Sequence, residues 1–134
     1  MNLNIPYMET DNKLLNDAYR IAAGDIVGNI VYYQNGLLTE EKPCMIAGLD
    51  YNTPWTRDTA INIWNALSIL SPEVSKNTLL AVLEEEEGNI YIGGQYWDSI
   101  IWMIGAREYC RFHKDDNFYR LAFEAGRNSV HRLE

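Results

Sequence analysis

Long apolar runs are missing from this sequence. No stretch approaches the roughly 18 consecutive apolar residues of a membrane-spanning helix. The opening residues, MNLNIPYMETDNK, have neither the basic start nor the apolar middle of a secretory signal. Cysteine is scarce: Cys44 and Cys110 are the whole complement. They have no metal-ligand spacing and no histidine cluster beside them, so neither a disulfide scaffold nor a thiolate metal centre is expected, and no metal or cofactor. Free thiols fit a reducing compartment, and the cytoplasm is the expected location. Positive charge is also short, with 11 basic against 19 acidic residues and a net charge of −8. Such a surface repels nucleic acid and anionic membranes, which are excluded as partners, and leaves neutral, hydroxyl-rich ligands open. Histidine is limited to His113 and His131, both in charged, surface-like surroundings. No serine or cysteine sits in an elbow-like context that would make a nucleophile. The glycines of EGNIYIGGQY do not follow a strand at phosphate-loop spacing, so nucleotide binding fits poorly.

What the chain does have is helical periodicity. At 134 residues, 47% of them apolar, it reads as one domain with enough material for a core. Leu14, Leu15, Ala18, Ile21, Ala22 and Ile26 recur at helical spacing between about residues 12 and 31, with Gly24 as a weak point inside. A long irregular segment follows, from about residue 34 to 54, holding Gly36, Pro43, Gly48 and Pro54; a loop of that length is more often functional than incidental. A second helix is expected over residues 58–70. Ser71 and Pro72 both stop it and open a third, which Gly88 ends. The run Glu84–Glu87 then falls at the C-terminal end of that helix, as a solvated face opposed to the macrodipole. A fourth helix, from Tyr96 to about Phe112, is apolar on every side and should be buried all round. A fifth, capped by Asp115 or Asp116, carries Phe118, Leu121, Ala122 and Ala125 on one stripe and still reads as helical at Glu134.

Two of these helix starts match. Sliding WTRDTAINIWNAL forward by 40 residues lays Asp58 on Asp98, Thr59 on Ser99, Ile61 on Ile101 and Ala66 on Ala106. A period of that size points to stacked helical hairpins that cannot bury their faces alone. At each start an acid stands beside aromatics: Trp55, Arg57 and Asp58 at one, Tyr96, Trp97 and Asp98 at the other. Carboxylate and guanidinium groups bind paired hydroxyls by charge-assisted hydrogen bonds, and indole or phenol rings cover the C–H face of a sugar. A structural reading stays open beside this one. Asp58 and Asp98 would then be first-turn acids favoured by the helix dipole, and the tryptophans core anchors. An aspartate beside Arg57 should stay ionised, which suits binding better than acid catalysis.

The segment PWTRDTAINIWNAL, with NTLLAVLEEEEGNIYIGGQYWDSIIWMIGAREYCRFHKDDNFYRLAFEAG after it, resembles the six-hairpin glycosidases, in particular the amylo-α-1,6-glucosidase domain of debranching-type enzymes. WTRD is also similar to glucoamylases and GGQYWDSIIW to trehalases, both related in fold. The resemblance runs from about Trp55 onward and is looser before it. It implies an all-α fold, here a partial (α/α)6 toroid of about five helices, in which inner helix tops converge on the active site. It implies glycoside hydrolysis by inversion on an α-glucoside or related oligosaccharide. Trp55, Arg57, Asp58, Tyr96, Trp97 and Asp98 would then bind the sugar on the non-reducing side of the bond. The family's general acid and base lie in later hairpins and match no residue here, so the catalytic residues stay unassigned. The chain is therefore expected to be the N-terminal part of a longer hydrolase domain, inactive when isolated. With the flanks of its inner helices uncovered, it is expected to form homo-oligomers. The rival expectation is a complete small helical bundle that binds a partner and catalyses nothing.

Overall fold

The chain alternates helices with short hairpins, and each helix boundary has a chemical cause. In the computed structural model, which describes residues 5–48 and 50–133, Asn12 opens α1 (Lys13–Gly28) by accepting from the N–H groups of Leu14 and Leu15. The helix ends at Gly28, short of the expected residue 31. Ile30–Tyr33 instead form β1, which pairs antiparallel with β2 (Lys42–Met45), Ile30 opposite Met45 and Tyr33 opposite Lys42. The run Ile30-Val31-Tyr32-Tyr33 is β-branched and aromatic, the composition of a strand. Part of the segment read as irregular is thus β2.

Next comes α2 (Thr56–Asn62), which continues without a break through a π-helical turn (Ile63–Leu67) into α3 (Ser68–Leu70). The π turn disturbs the regular ladder, and the Asn65 side-chain N–H₂ donates to the Ile61 carbonyl at 2.9 Å. Ser71 caps α4 (Pro72–Ala81) as expected, its hydroxyl accepting from Val74 N–H. Pro72 has no N–H for the Ser68 carbonyl four residues before it. The His113 ring fills that place, Nε2 lying 2.6 Å from Ser68 O, which puts the ring proton on Nε2. His113 is accordingly half-buried, with its ring 5.0 Å from that of Tyr109, and is not in the surface-like setting expected for it.

The largest departure from expectation follows α4, which stops at Ala81 and not at Gly88. Its last carbonyls are taken by the loop after β1: Leu37 N–H donates to Leu80 O and the Asn35 amide to Ala81 O, both at 3.1 Å. Gly36, at φ +60°, lies so close that a Cβ would stand 2.6 Å from the carbonyls of Leu80 and Leu83. The glutamate run is therefore strand: β3 (Leu83–Glu86) pairs with β4 (Asn89–Ile92) across Glu87 and Gly88, both at positive φ. Only Leu83 of β3 is buried, and its three glutamates are exposed. α5 (Tyr96–Phe112) and α6 (Asp116–His131) complete the described chain. Asp115 caps α6 by accepting from Phe118 N–H at 3.0 Å, and Lys76 holds its carboxyl below the ordinary aspartate range. α6 ends at His131, with Arg132 as its C-cap, and does not run on as expected; Glu134 itself lies outside the described residues.

The chain is mostly helical with two small antiparallel hairpins. These elements give one pattern twice: a hairpin, an inner helix that packs against its counterpart (α2–α3 and α5), and an outer helix that follows it (α4 and α6). α4 grips the first hairpin, with Thr78 Oγ1 accepting from Met45 N–H at 2.9 Å; α6 grips the second, with Ser129 Oγ accepting from Ile92 N–H at 2.8 Å. The inner helices run parallel, Thr56 beside Gly93 at one end and Ser68 beside His113 at the other. Between those ends Gly105 meets Ala60, and a Cβ on Gly105 would be 2.8 Å from Ala60 Cα. Behind this crossing lies the main core, with Ile63, Leu67, Val74, Leu79 and Leu83 around Trp102, whose indole N–H reaches Leu79 O. Phe118 joins that group to Tyr109, ring edge to ring face at 5.0 Å. α5 is not buried all round: Ile100 and Ile104 are exposed, on a stripe with Tyr96 and Trp97.

Gly36→Ala should lower stability by about 2–3 kcal/mol, because it forces both a strained φ and a clash with backbone carbonyls. Urea unfolding measures it. His113→Ala should cost about 1–3 kcal/mol by the same assay, since it orphans the Ser68 carbonyl.

Candidate functional site

The parallel run of α2 and α5 puts two helix starts side by side, and they are built to one plan. Trp55 is the N-cap of α2 and Gln95 that of α5, so Asp58 and Asp98 both stand third in a first turn. Thr56 ties the two starts together, its hydroxyl donating to Gly93 O at 2.8 Å. The capping chemistry then differs. Asp98 Oδ2 accepts from Gln95 N–H at 2.9 Å, the acid's half of a capping box, while Asp98 N–H donates to the Gln95 backbone carbonyl at 2.9 Å. Trp55 has no oxygen with which to cap, and its side chain makes no such bond; Asp58 lies part-exposed beside it.

Asp98 is the polar centre of the pair. Its side chain is only 9% exposed, and Oδ1 is buried with no hydrogen-bond partner among the described residues. The cation facing that oxygen is Arg57, with Nη1 at 3.6 Å, an ion pair longer than a hydrogen bond. The Arg57 guanidinium carbon is 6.0 Å from the Trp97 ring centroid, within cation–π range. Gly94, at φ +109°, makes this arrangement possible, since a Cβ there would lie 2.6 Å from Asp98 Oδ2.

The six residues expected from the sequence are thus distributed as follows. Arg57, Trp97 and Asp98 form one contact group. Trp55 and Asp58 share the α2 start with Arg57, and Trp55 meets Tyr51 edge to face at 5.6 Å. Tyr96 and Trp97 also wall a cleft of about 580 Å³ on the other side of the α5 start, with Gln95, Glu84 and Arg132. Trp55, Arg57, Asp58 and Asp98 do not line that cleft. The tryptophans are not core anchors: Trp55 and Trp97 are about half exposed. Asp98 does serve as a structural first-turn acid, through one of its two oxygens.

Tyr51, Gln95, Glu84 and Arg132 were missed. Tyr51, in YNTPW, could have been included as an aromatic beside Trp55. Glu84 and Arg132 lie 48 residues apart in sequence and carry no local signal.

Other chemistries find little here. Gly93 and Gly94 do follow a strand, β4, but Asp98 occupies the helix start where a phosphate would bind. Burial pushes the Cys44 thiol up to about 12, which removes it as a thiolate near neutral pH. The Tyr109 hydroxyl also rises to about 12, by burial and then by the Asp115 charge. Among the described residues no group of three or more His, Cys, Asp or Glu side chains could hold a metal ion, and no helix is long and apolar enough to cross a membrane. No protein-family model matches the chain, and it matches no curated protein and no solved structure.

The two aspartates should separate in stability. Asp98→Ala removes the acceptor that caps Gln95 N–H and should cost about 1–2 kcal/mol. Asp58→Ala should change stability by about half a kcal/mol or less. Chemical denaturation of both variants tests this, and equal losses would mean that Asp58 carries a structural role of its own.

Proposed function

We propose that the paired helix starts bind a sugar, as part of a glycoside hydrolase acting on an α-glucoside or related oligosaccharide. The observation that carries the binding half is the Arg57–Asp98 pair. A sugar hydroxyl is donor and acceptor at once. Entering beside the pair, it would donate to Asp98 Oδ1 and accept from Arg57, satisfying a buried carboxylate oxygen that has no hydrogen bond among the described residues. Trp97 and Trp55 offer flat apolar area on either side for the C–H faces of the ring. Asp58, at the equivalent place on α2 and without a cap to make, supplies a second carboxylate to the same helix end. A neutral ligand also suits a chain of net charge −8.

The hydrolytic half of the proposal, with inversion and the α-glucoside class, rests on the resemblance of PWTRDTAINIWNAL and GGQYWDSIIW to six-hairpin glycosidases. The repeated hairpin–inner helix–outer helix order supports the partial toroid. General acid and base remain unassigned. The proposal includes association between copies of the chain. The second reading, a binding module without hydrolysis, draws support from the apolar face that α1 turns outward.

Titration of the chain with glucose and with short α-glucans, read by intrinsic tryptophan fluorescence, tests the sugar site. A saturable shift in the millimolar range is expected, lost in Arg57→Ala and at least tenfold weaker in Asp58→Ala, roughly the effect of one charge-assisted hydrogen bond. Absence of any shift, or one unchanged in both variants, would remove the sugar reading.

A further inference from the structure

The helix α1 is inside out. Its apolar residues Leu14, Leu15, Ala18, Ile21 and Ala22 fall on one stripe, the face an amphipathic helix ordinarily buries. All five are exposed, Leu14 at 79% and Ile21 at 66%, and no residue of α1 is buried. Toward the rest of the chain the helix turns Tyr19, Ala23 and Ile26, which with Ala22 at the edge of the stripe line an apolar hollow against Ala66, Ile69 and Leu70. Acids bound the stripe along its length, Asp11 before it and Asp25 after it, both exposed and in no ion pair with a described residue. Asp17, on the flank, is already neutralised by Lys13 and Arg20.

A surface of opposite character lies on the far helix pair. Met103, Ala122, Phe123 and Val130 line two adjoining hollows, of about 340 and 150 Å³, between α5 and α6. Gly126 lets Met103 lie flat there, since a Cβ would be 2.7 Å from its sulfur. Phe123 is 64% exposed. Arg127 lines one hollow and Arg107 the other. Neither forms an ion pair with a described carboxylate. The setting is basic on an acidic protein: six of the eleven basic residues lie between Arg107 and Arg132, against four of the nineteen acidic ones.

We propose that copies of this chain associate head to tail, the outward stripe of α1 on one copy seating in the arginine-flanked groove between α5 and α6 of the next. The occupant follows from complementarity in length and in charge. The stripe from Leu14 to Ala22 is about 12 Å long, and α6 from Tyr119 to Val130 runs about 16 Å. Acids at the two ends of the stripe meet an arginine in each of the two hollows. A membrane surface is the poorer occupant, because Asp11 and Asp25 and the net charge oppose anionic lipid. The two surfaces differ, so the contact is heterologous and propagates into a ring or filament unless one side is blocked. The inference gives the proposed self-association its interface. It is independent of the sugar reading, because neither surface contains Trp55, Arg57, Asp58, Trp97 or Asp98.

Sedimentation velocity on the full chain over a wide concentration range tests it, with Ile21→Gln and Phe123→Gln as variants. Both positions are exposed, so circular dichroism should show unchanged helix. The wild-type chain should gain mass with concentration, and each variant should associate about ten- to hundredfold more weakly, the loss of one large apolar side chain from an interface. An equimolar mixture of the two variants is the deciding sample. The Ile21→Gln copy keeps an intact groove and the Phe123→Gln copy an intact stripe, so the mixture should form a discrete two-chain species at concentrations where each variant alone is still monomeric. A monomeric wild type at every concentration overturns the proposal. So does a Phe123→Gln variant that dimerises by itself as tightly as the wild type, which would mean that α1 pairs with α1, or a mixture that associates no more tightly than either variant alone.

Discussion

The contact of Gly105 with Ala60 governs the arrangement of everything around it. Two inner helices can lie this close only where side chains are nearly absent, and a single methyl on Gly105 would meet backbone and Cβ atoms of Ala60. That closeness fixes the helices in parallel and brings their starts to one end of the molecule. It also holds their far ends near enough for His113 to reach the Ser68 carbonyl. Arg57 faces Asp98 for the same reason. Without the crossing the two residues would belong to separate helix caps.

A second constraint is the supply of partners for backbone carbonyls. Proline at the start of α4 leaves Ser68 O without its helical donor, and a histidine 45 residues away provides one. At the other end of α4, the loop after β1 closes the helix, with Asn35, Gly36 and Leu37 arranged around the carbonyls of Leu80 to Leu83. Stopping α4 there releases the glutamate run into an exposed strand and the turn after it, where four consecutive acids no longer oppose a helix dipole. The two hairpins are thus tied to the helices by the same hydrogen bonds that end or brace those helices.

The apolar surface is divided unevenly. One side of the inner helices packs on Trp102, Phe118 and Leu79, while Ile61, Trp64, Ile100 and Ile104 remain exposed. α1 and the groove between α5 and α6 add two further open faces. Exposed faces of this kind are what a stacked array presents at its margins, each unit leaving a side for a neighbour. The proposed sugar site sits at the helix ends and the proposed association surfaces on the flanks, so ligand binding and assembly need not compete for the same residues.

The positions of most helices could be read directly from the chain, because capping and periodicity are local. Ser71-Pro72 marked one start, Asp115-Asp116 another, and the matching WTRD and YWD segments proved to be equivalent first turns. The hairpins were not legible. Their strands are four residues long, and the Glu87-Gly88 turn has its meaning only once α4 is stopped by a loop more than 40 residues earlier. Nor could the sequence say that α1 would turn its apolar stripe outward, since periodicity reveals that a helix has two faces and not which of them finds a partner. The same holds at the candidate site. The residue types Trp55, Arg57, Asp58, Tyr96, Trp97 and Asp98 were local information. Which of them meet was decided by the tertiary crossing at Ala60 and Gly105, because contacts between residues 40 positions apart depend on how helices pack.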